Sequence, residues 1–246
     1  MRYLIFSDLH GNLEAVQALK KFLHRRKIDH FICLGDLVGY GASPNEVIQE
    51  VRELSPLTVI RGNHDKAICD QESLGSFNPI AAAAIHWTRA NLSEENHHYL
   101  SQLPQGPMTV NGTITICHGA PFDEDYYIFG EFDAAEAFLH LKTSINFFGH
   151  THFPYVYSES DHLVQGNYLT GDRKEIRLKQ GTSYLINPGS VGQPRDRNTR
   201  AACAIYDSEK KRVSFHRMAY DILNAQNKIR EAGLPSALSE RLTMGI

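Results

Sequence analysis

Five short motifs in this sequence contain side chains that commonly bind metal ions in proteins. They are Asp8-Leu9-His10, Gly35-Asp36, Gly62-Asn63-His64-Asp65, Cys117-His118-Gly119 and Gly149-His150-Thr151-His152. They offer imidazole nitrogens, carboxylate oxygens and an amide oxygen, and they need no thiolate. This mixture suits manganese, iron or zinc better than it suits a structural zinc bound by thiolates. The sequence therefore predicts a metal centre with nitrogen and oxygen ligands.

The number of candidate ligands indicates more than one ion. A single tetrahedral ion needs only four ligands. The motifs supply a larger set: Asp8, His10, Asp36, Asn63, His118, His150 and His152. This set is enough for two ions that share one carboxylate. The glycines beside the ligands let the main chain come close to a metal or a phosphate.

Each motif taken alone has an ordinary explanation. A turn aspartate beside a surface histidine would explain Asp8 and His10, and two surface loop histidines would explain His150 and His152. The tetrapeptide 62–65 is the most specific, since a given tetrapeptide occurs in a chain of this length about once in several hundred sequences. The presence of all five motifs in one chain leaves chance little room.

The elements that precede the motifs predict how these side chains meet. Apolar runs at 3–6, 30–34 and 57–61 are typical of strands, and helices are expected from residue 13 and over 44–54, with Asn12 and Ser43 as their N-caps. This alternation indicates a largely parallel sheet. The motifs follow the carboxyl ends of the strands, where open α/β sheets place their sites.

The rest of the chain is expected to complete one domain over residues 1–246. We predict a helical insert at about 78–103, a two-residue hairpin turn at Asn111-Gly112, a helix over 132–142 and a strand over 145–148. Short strands are expected over 155–158, 175–179, 183–186, 201–207 and 212–218. A C-terminal helical pair at about 219–243 follows.

Composition narrows the choice of partner and compartment. The net charge of −3 gives no basic field of the kind that attracts nucleic acid. No stretch approaches 18 apolar residues, so we expect no membrane span. The four cysteines form no C-x-x-C pair, and the apolar run before Asp8 is too short for a secretory signal. These features predict a reducing compartment, the cytoplasm.

The order of the five motifs resembles the signature of the calcineurin-like metallophosphoesterase superfamily. The stretch 187–196 (NPGSVGQPRD), the insert and the C-terminal segment resemble its small bacterial branch of diadenosine tetraphosphatase-like or serine/threonine phosphatase-like proteins. The resemblance implies an α/β (α+β) fold: a four-layer αββα sandwich of two mixed sheets flanked by helices, with a small helical insert.

The resemblance also assigns the ligands to two ions. One ion would be held by Asp8, His10, Asp36 and His152. The other would be held by Asp36, Asn63, His118 and His150, with Asp36 bridging. Spacing alone does not separate His150 from His152. The implied activity is hydrolysis of a phosphate ester or anhydride by a hydroxide that bridges two divalent or mixed-valence ions.

Two residues of the third motif receive catalytic roles from this resemblance, and the residue before the motif is a candidate by its chemistry. His64 is expected to bind no metal and to protonate the leaving oxygen, and Asp65 is expected to orient the His64 ring. Arg61 suits bidentate contact with phosphate; the alternative is a salt bridge under the sheet.

Three residues are candidates for substrate binding. Arg195 either contacts a second phosphate or belongs to a solvated charged turn. Tyr40 either lines the pocket or packs within its loop. Asn63 is expected to contact the substrate as well as a metal.

The sequence leaves the substrate open. We expect a small phosphorylated compound, with a dinucleoside polyphosphate as the leading candidate and the insert as one wall of its cleft, opposite Arg195. The alternatives are a binding scaffold that has lost the reaction, a phosphoprotein phosphatase, and a nuclease of the same superfamily. The acidic balance weighs against the nuclease. The oligomeric state stays open.

Overall fold

The computed structural model describes residues 1–70 and 74–246 and arranges twelve strands in two mixed sheets. The strands are β1 (Arg2–Phe6), β2 (His30–Cys33), β3 (Leu57–Val59), β4 (Met108–Val110), β5 (Ile114–Ile116), β6 (Ile145–Phe147), β7 (Pro154–Ser160), β8 (Leu163–Tyr168), β9 (Arg173–Arg177), β10 (Ser183–Pro188), β11 (Ala201–Asp207) and β12 (Arg212–Met218). The first sheet has the order β3-β2-β1-β11-β12-β9, and the second has the order β4-β5-β6-β10-β7-β8.

Eight helices accompany the strands in the described residues. They are α1 (Leu13–Leu23), α2 (Pro44–Arg52), α3 (Asn63–Cys69), α4 (Pro79–Asn91), α5 (Glu94–Ser101), α6 (Glu131–Leu139), α7 (Ile222–Glu231) and α8 (Ser236–Met244). None of these helices is long and apolar enough to cross a membrane.

The alternation of side chains along β1 shows how the layers form. Leu4 and Phe6 pack into the apolar cluster that α1 and α2 cover, whereas Tyr3 and Ile5 face the second sheet. Successive side chains of a strand point to opposite faces, so a strand in the middle layers is apolar on both. On the far side of the second sheet, Leu185 packs with the inner face of α6. This order confirms the predicted four-layer αββα sandwich.

The helical insert and the C-terminal pair are built into this core. Ile85 of α4 and Leu100 of α5 pack beside the first sheet, and Ala84 of α4 packs against α7 and α8. Glu14 of α1 anchors α7, because its carboxylate accepts from Lys228 Nζ at 2.6 Å and from Asn224 Nδ2 at 2.7 Å. Helices α4 and α5 lie in the predicted insert, and α7 and α8 lie at the predicted C-terminal pair, whose second helix ends one residue later than expected, at Met244. A single domain over 1–246 stays a prediction.

Three local features differ from a simple extension of the sequence pattern. The third motif is not all loop after β3, because Asn63 begins α3. The hairpin turn has three residues, Asn111 to Thr113, because β5 begins only at Ile114. Strand β8 was not predicted, since it lies mostly exposed beside β7 and carries Gly166, which is unfavourable in strands.

A buried ion pair holds the loop that follows β10. Arg217 of β12 pairs with Asp196, and their side chains are only 4% and 3% exposed. A second pair, between Arg200 and Asp172, is exposed to solvent. Breaking the buried pair from one side leaves a charge without its partner in an apolar environment, which is costly.

Replacing Arg217 with Met should therefore lower the free energy of unfolding by about 3–5 kcal/mol. Urea denaturation followed by circular dichroism measures this change. The matched control, Arg200→Met, breaks a solvent-screened pair and should leave the denaturation midpoint nearly unchanged. A similar loss in both variants would contradict this account of the loop.

Candidate metal centre

The motif residues meet where the carboxyl ends of the parallel strands of both sheets come together. Strands β1, β2 and β3 run parallel in the first sheet, as do β5, β6 and β10 in the second. All seven predicted ligands follow these strands within five residues of a strand end, six of them in loops and Asn63 as the first residue of α3: Asp8, His10, Asp36, Asn63, His118, His150 and His152. The predicted placement of the motifs is thus observed for both sheets.

Main-chain hydrogen bonds between loops fix the positions of these ligands. The amide of His10 donates to Asp36 O at 3.0 Å, that of Gly192 to Asp8 O at 2.9 Å, and that of Gly149 to His118 O at 2.7 Å. Each bond joins loops from different strands. The ligands are therefore held by the crossing of strand ends rather than by any one loop.

Five ligands have a left-handed backbone conformation, with φ between 48° and 66°. They are Asp8, His10, Asp36, His150 and His152. Residues other than glycine adopt this conformation at a cost of about 1–3 kcal/mol each, and such residues concentrate at functional sites. The contacts around the centre hold these loops in shapes that their sequences do not favour.

Two glycines are required by close approach. A Cβ atom at Gly62 would overlap the carboxylate of Asp36, and one at Gly149 would overlap the hydroxyl of Ser7. Any larger residue at either position would displace the loop that carries a ligand.

The first group of ligands is Asp8, His10 and His152, all buried. His10 Nδ1 lies 3.0 Å from Val38 O, and His152 Nδ1 lies 2.6 Å from Gln193 O. Each Nδ1 therefore carries the proton, and each Nε2 presents a lone pair. Carbonyl contacts of this kind orient metal-binding histidines.

The second group is Asp36, His118 and His150. His118 Nδ1 lies 2.8 Å from Leu34 O, and its Nε2 lies 3.1 Å from Asn63 Oδ1. His150 is turned the other way, with Nε2 at 3.1 Å from Asp125 O, which leaves Nδ1 for a ligand.

Asp36 lies between the two groups. Its Oδ2 is 3.5 Å from Nε2 of His10 and 3.5 Å from Nε2 of His118. One carboxylate thus reaches a member of each group, as a bridging ligand must.

The donor set fits cations. Nε2 of His10 and Nε2 of His152 are 3.1 Å apart, although neither carries a proton to share. Both carboxylate oxygens of Asp8 are buried and have no hydrogen-bond partner among the described residues. Buried acceptors that face one another without a donor are unfavourable, and a divalent ion between them removes the conflict.

Burial sets the protonation of most of these groups. It lowers the pKa of His150 to about 3 and keeps the pKa values of His10 and His152 well below 6.5, so these rings are neutral near pH 7. Burial also raises the pKa of the Asp8 carboxyl to about 7. Without an ion, the Asp8 carboxyl is therefore partly protonated near pH 7.

His118 behaves differently because of Asp36. Burial alone would lower its pKa, but the charge of Asp36 and the contact with it raise the pKa to about 10. The His118 proton must leave before a metal binds, so metal binding at this position releases a proton.

Comparison with known proteins agrees with this geometry. The calcineurin-like phosphoesterase superfamily domain matches residues 1–211. The chain belongs to this superfamily. A metallophosphoesterase from Sphaerobacter thermophilus is 40% identical and superposes with a TM-score of 0.89, covering 100% of this chain and 99% of that one.

Two further relatives extend the comparison. An uncharacterized protein of Methanocaldococcus jannaschii is 39% identical over 243 residues, which are 98% of this chain and 97% of that protein. A hypothetical protein of Pyrococcus horikoshii OT3 has the same fold, with a TM-score of 0.82 at 22% identity over 100% of this chain and 98% of that one.

The structure places His64 beside the candidate metal ligands. Its ring contacts Tyr40, with centroids 4.5 Å apart, and lies 4.9 Å from the His10 ring. With His10 and Asp36 it forms a third group with metal-binding geometry, so its lack of a metal stays a prediction. Burial lowers its pKa to about 4.

The predicted contact of Asp65 with the His64 ring was wrong. The Asp65 carboxylate accepts instead from main-chain amides: those of Asp36 at 2.8 Å, Leu37 at 2.9 Å and Gly62 at 3.0 Å. Nδ1 of His64 has no hydrogen-bond partner among the described residues. Asp65 therefore fixes the loop that carries Asp36.

Arg61 forms an ion pair, which was the expected alternative to a contact with phosphate. Its guanidinium donates to Glu124 at 2.9 and 3.1 Å and to Gln105 at 2.9 Å. A contact with phosphate stays a prediction for this residue.

Tyr40 and Arg195 lie together beside the centre. The Tyr40 ring lies 4.5 Å from the His10 ring, and the Arg195 guanidinium lies 5.9 Å from the Tyr40 ring centroid. Tyr40 also lines a cavity of about 120 Å³ with Asn63, His64 and His150. The structure thus brings Tyr40 and Asn63 to one cavity, and it places Arg195 beside Tyr40 but not among the residues that line this cavity.

Sequence reasoning missed two residues on the loop before α6. The main-chain oxygen of Asp125 accepts from His150 Nε2, and the Tyr127 ring stacks on the His150 ring with centroids 3.8 Å apart. This loop has no periodic pattern, so its aromatic run (126–129, YYIF) was the one available signal.

Because Asp36 lies between the two ligand groups, its replacement should change the metal content of the protein. The native protein should bind about two manganese ions per chain. Asp36→Asn removes the charge that both groups share and should reduce the content to below about one ion at the same free manganese concentration. Elemental analysis after gel filtration measures this content.

The control is Asp161→Asn, at the exposed turn between β7 and β8, where the left-handed backbone accepts asparagine. This variant should keep the native metal content. A native content of one ion, or an unchanged content in Asp36→Asn, would contradict a bridging role.

Proposed function

We propose that this chain is a two-metal-ion phosphoesterase that hydrolyses a small nucleotide-type phosphate ester or anhydride. The convergence of two ligand groups on Asp36 supports this proposal most directly. Two divalent ions, when bound, would lower the pKa of a water molecule and neutralise charge on the phosphoryl oxygens. Manganese, iron and zinc all suit the imidazole and carboxylate ligands.

The candidate ligands and the residues around them are held in fixed orientations that suit binding of a phosphoryl group. The carbonyl contacts of His10, His118 and His152 hold their rings in one orientation, so little reorganisation is needed on binding. Asp65 keeps the Asp36 loop in place. The cavity of about 120 Å³ suits a small phosphorylated compound rather than a nucleic-acid polymer.

His64 is positioned to move a proton. Its ring lines the same cavity as Asn63 and His150, so it can reach the leaving oxygen of a phosphoryl group held there. A protonated leaving oxygen departs more easily, and the benefit grows as the leaving group becomes more basic. The integrity of the ligand set and of His64 favours an enzyme over a binding scaffold.

An aromatic platform supports a nucleotide-type substrate. Tyr127 stacks on His150, and Phe129 stacks on Tyr127 with centroids 5.3 Å apart and planes within 6°. The Phe129 side chain is 60% exposed. An open ring face near a phosphoryl site offers stacking to a planar base, which contributes about 1–3 kcal/mol.

The proton-transfer role predicts a dependence on the leaving group. His64→Ala should lower turnover of thymidine 5′-phenyl phosphate by about 10²–10⁴-fold. Turnover of thymidine 5′-p-nitrophenyl phosphate should fall much less, because nitrophenolate leaves without protonation. Steady-state kinetics with both substrates and elemental analysis of the variant test this role. Equal losses on both substrates, or loss of a metal ion, would refute it.

The aromatic platform predicts selective weakening of nucleotide binding. Phe129→Ala should raise KM for thymidine 5′-p-nitrophenyl phosphate about 5–100-fold. KM for methyl p-nitrophenyl phosphate, which lacks the nucleoside, should stay unchanged.

The control variant is Phe132→Ala on the following helix, where the side chain is 94% exposed. It should alter neither KM value. If Phe129→Ala changes both substrates alike, the platform does not bind the base.

A further inference from the structure

Two arginines from distant parts of the chain flank one aromatic ring beside the metal centre. The guanidinium carbon of Arg195 lies 5.9 Å from the Tyr40 ring centroid, and that of Arg241 on α8 lies 5.8 Å from it. The same ring is 4.5 Å from the rings of His10 and His64. Both positive charges are therefore close to the proposed position of the scissile phosphoryl group.

Neither guanidinium is paired with a carboxylate side chain within 4.0 Å in the described residues. Arg195 donates to Gln193 Oε1 at 3.1 Å and contacts the Tyr127 hydroxyl, while its Nε is buried with no partner among the described residues. Arg241 donates from Nε alone to an oxygen of Ile246, the last residue, at 2.7 Å. Several N–H groups of both arginines thus stay available to an anion.

The proximity of the two charges is unfavourable by itself. Burial lowers the pKa of Arg241, and the neighbouring charge of Arg195 lowers it further. An anion that contacts both guanidinium groups would remove this repulsion. The planar fork of arginine suits phosphoryl oxygens in particular.

Arg241 lies where the catalytic cavity meets a larger groove. Tyr40 lines both the cavity of about 120 Å³ and a groove of about 480 Å³ between the start of α4 and α8. Arg241 lines the groove together with Ile80 and Met244. A ligand that extends from the metal ions past Tyr40 must pass these arginines.

We infer that Arg195 and Arg241 bind a second phosphoryl group, adjacent to the one at the metal ions, so that the preferred ligand is a diphosphoryl or polyphosphoryl compound. This inference rests on the proposed function, because that function places the first phosphoryl group. Arg241 becomes a binding residue contributed by the C-terminal helices. The groove beyond it would hold the rest of such a ligand.

The test compares two ligands that the protein cannot hydrolyse. Methylenediphosphonate has two phosphonyl groups and methylphosphonate has one. Calorimetry in excess manganese gives the affinity of the metal-loaded protein for each. Both ligands also bind free manganese, but this contribution is the same for every variant and cancels in the comparison.

Arg241→Met should weaken methylenediphosphonate binding about 10–100-fold and change methylphosphonate binding less than about threefold. Arg241→Lys keeps the charge without the fork and should give an intermediate loss. The control is Arg230→Met on α7, which removes the same charge from an exposed position that donates to Asn227. It should leave both affinities unchanged.

Several results would overturn the inference: equal losses for both ligands, no loss for methylenediphosphonate, or the same loss in Arg230→Met. If Arg241→Met does not fold, the selective loss must appear in Arg241→Lys or the inference fails. Because calorimetry needs no turnover, the proposed function can fail separately. A chain that hydrolyses no phosphate ester but shows the selective loss keeps the subsite and loses the activity.

Discussion

The buried volume at the centre of this molecule is filled with groups that donate electron pairs and have few protons to offer one another. Neutral imidazoles of His10 and His152 face each other at 3.1 Å, and both oxygens of Asp8 lack a partner among the described residues. Water would normally solvate such groups, and its exclusion is unfavourable unless cations replace it. The fold must therefore hold the groups together against their own repulsion, and cations then stabilise the arrangement.

The surrounding loops meet this requirement through their main chain. Five ligands have positive φ, which no isolated loop of this composition would favour, and the strand ends impose it through amide-to-carbonyl bonds between loops. Asp65 strengthens the same network, because its carboxylate satisfies the amides of Asp36, Leu37 and Gly62 in a place that excludes water. A side chain in a signature motif thus acts on the shape of the site.

The sequence predicted the parts of this site that depend on residue type and order. The motifs follow strand ends, so their convergence could be inferred, and the family resemblance supplied the sandwich. The sequence did not predict the hydrogen-bond partners of Asp65. Its closeness to His64 along the chain does not reveal that main-chain amides of another loop lie within reach of its carboxylate. The placement of Arg241 was equally hidden, since it depends on how α8 packs against Tyr40. Polar β8 and the loop around Tyr127 lack the periodicity by which elements are recognised.

The position of β1 has a consequence for how the protein is made on the ribosome. Its partners are β2, where Tyr3 pairs with His30, and β11, where Arg2 pairs with Asp207. During synthesis β1, whose following loop carries Asp8 and His10, keeps one edge open until about 200 further residues have emerged. Apolar strand edges left open for this long are prone to pair with other chains.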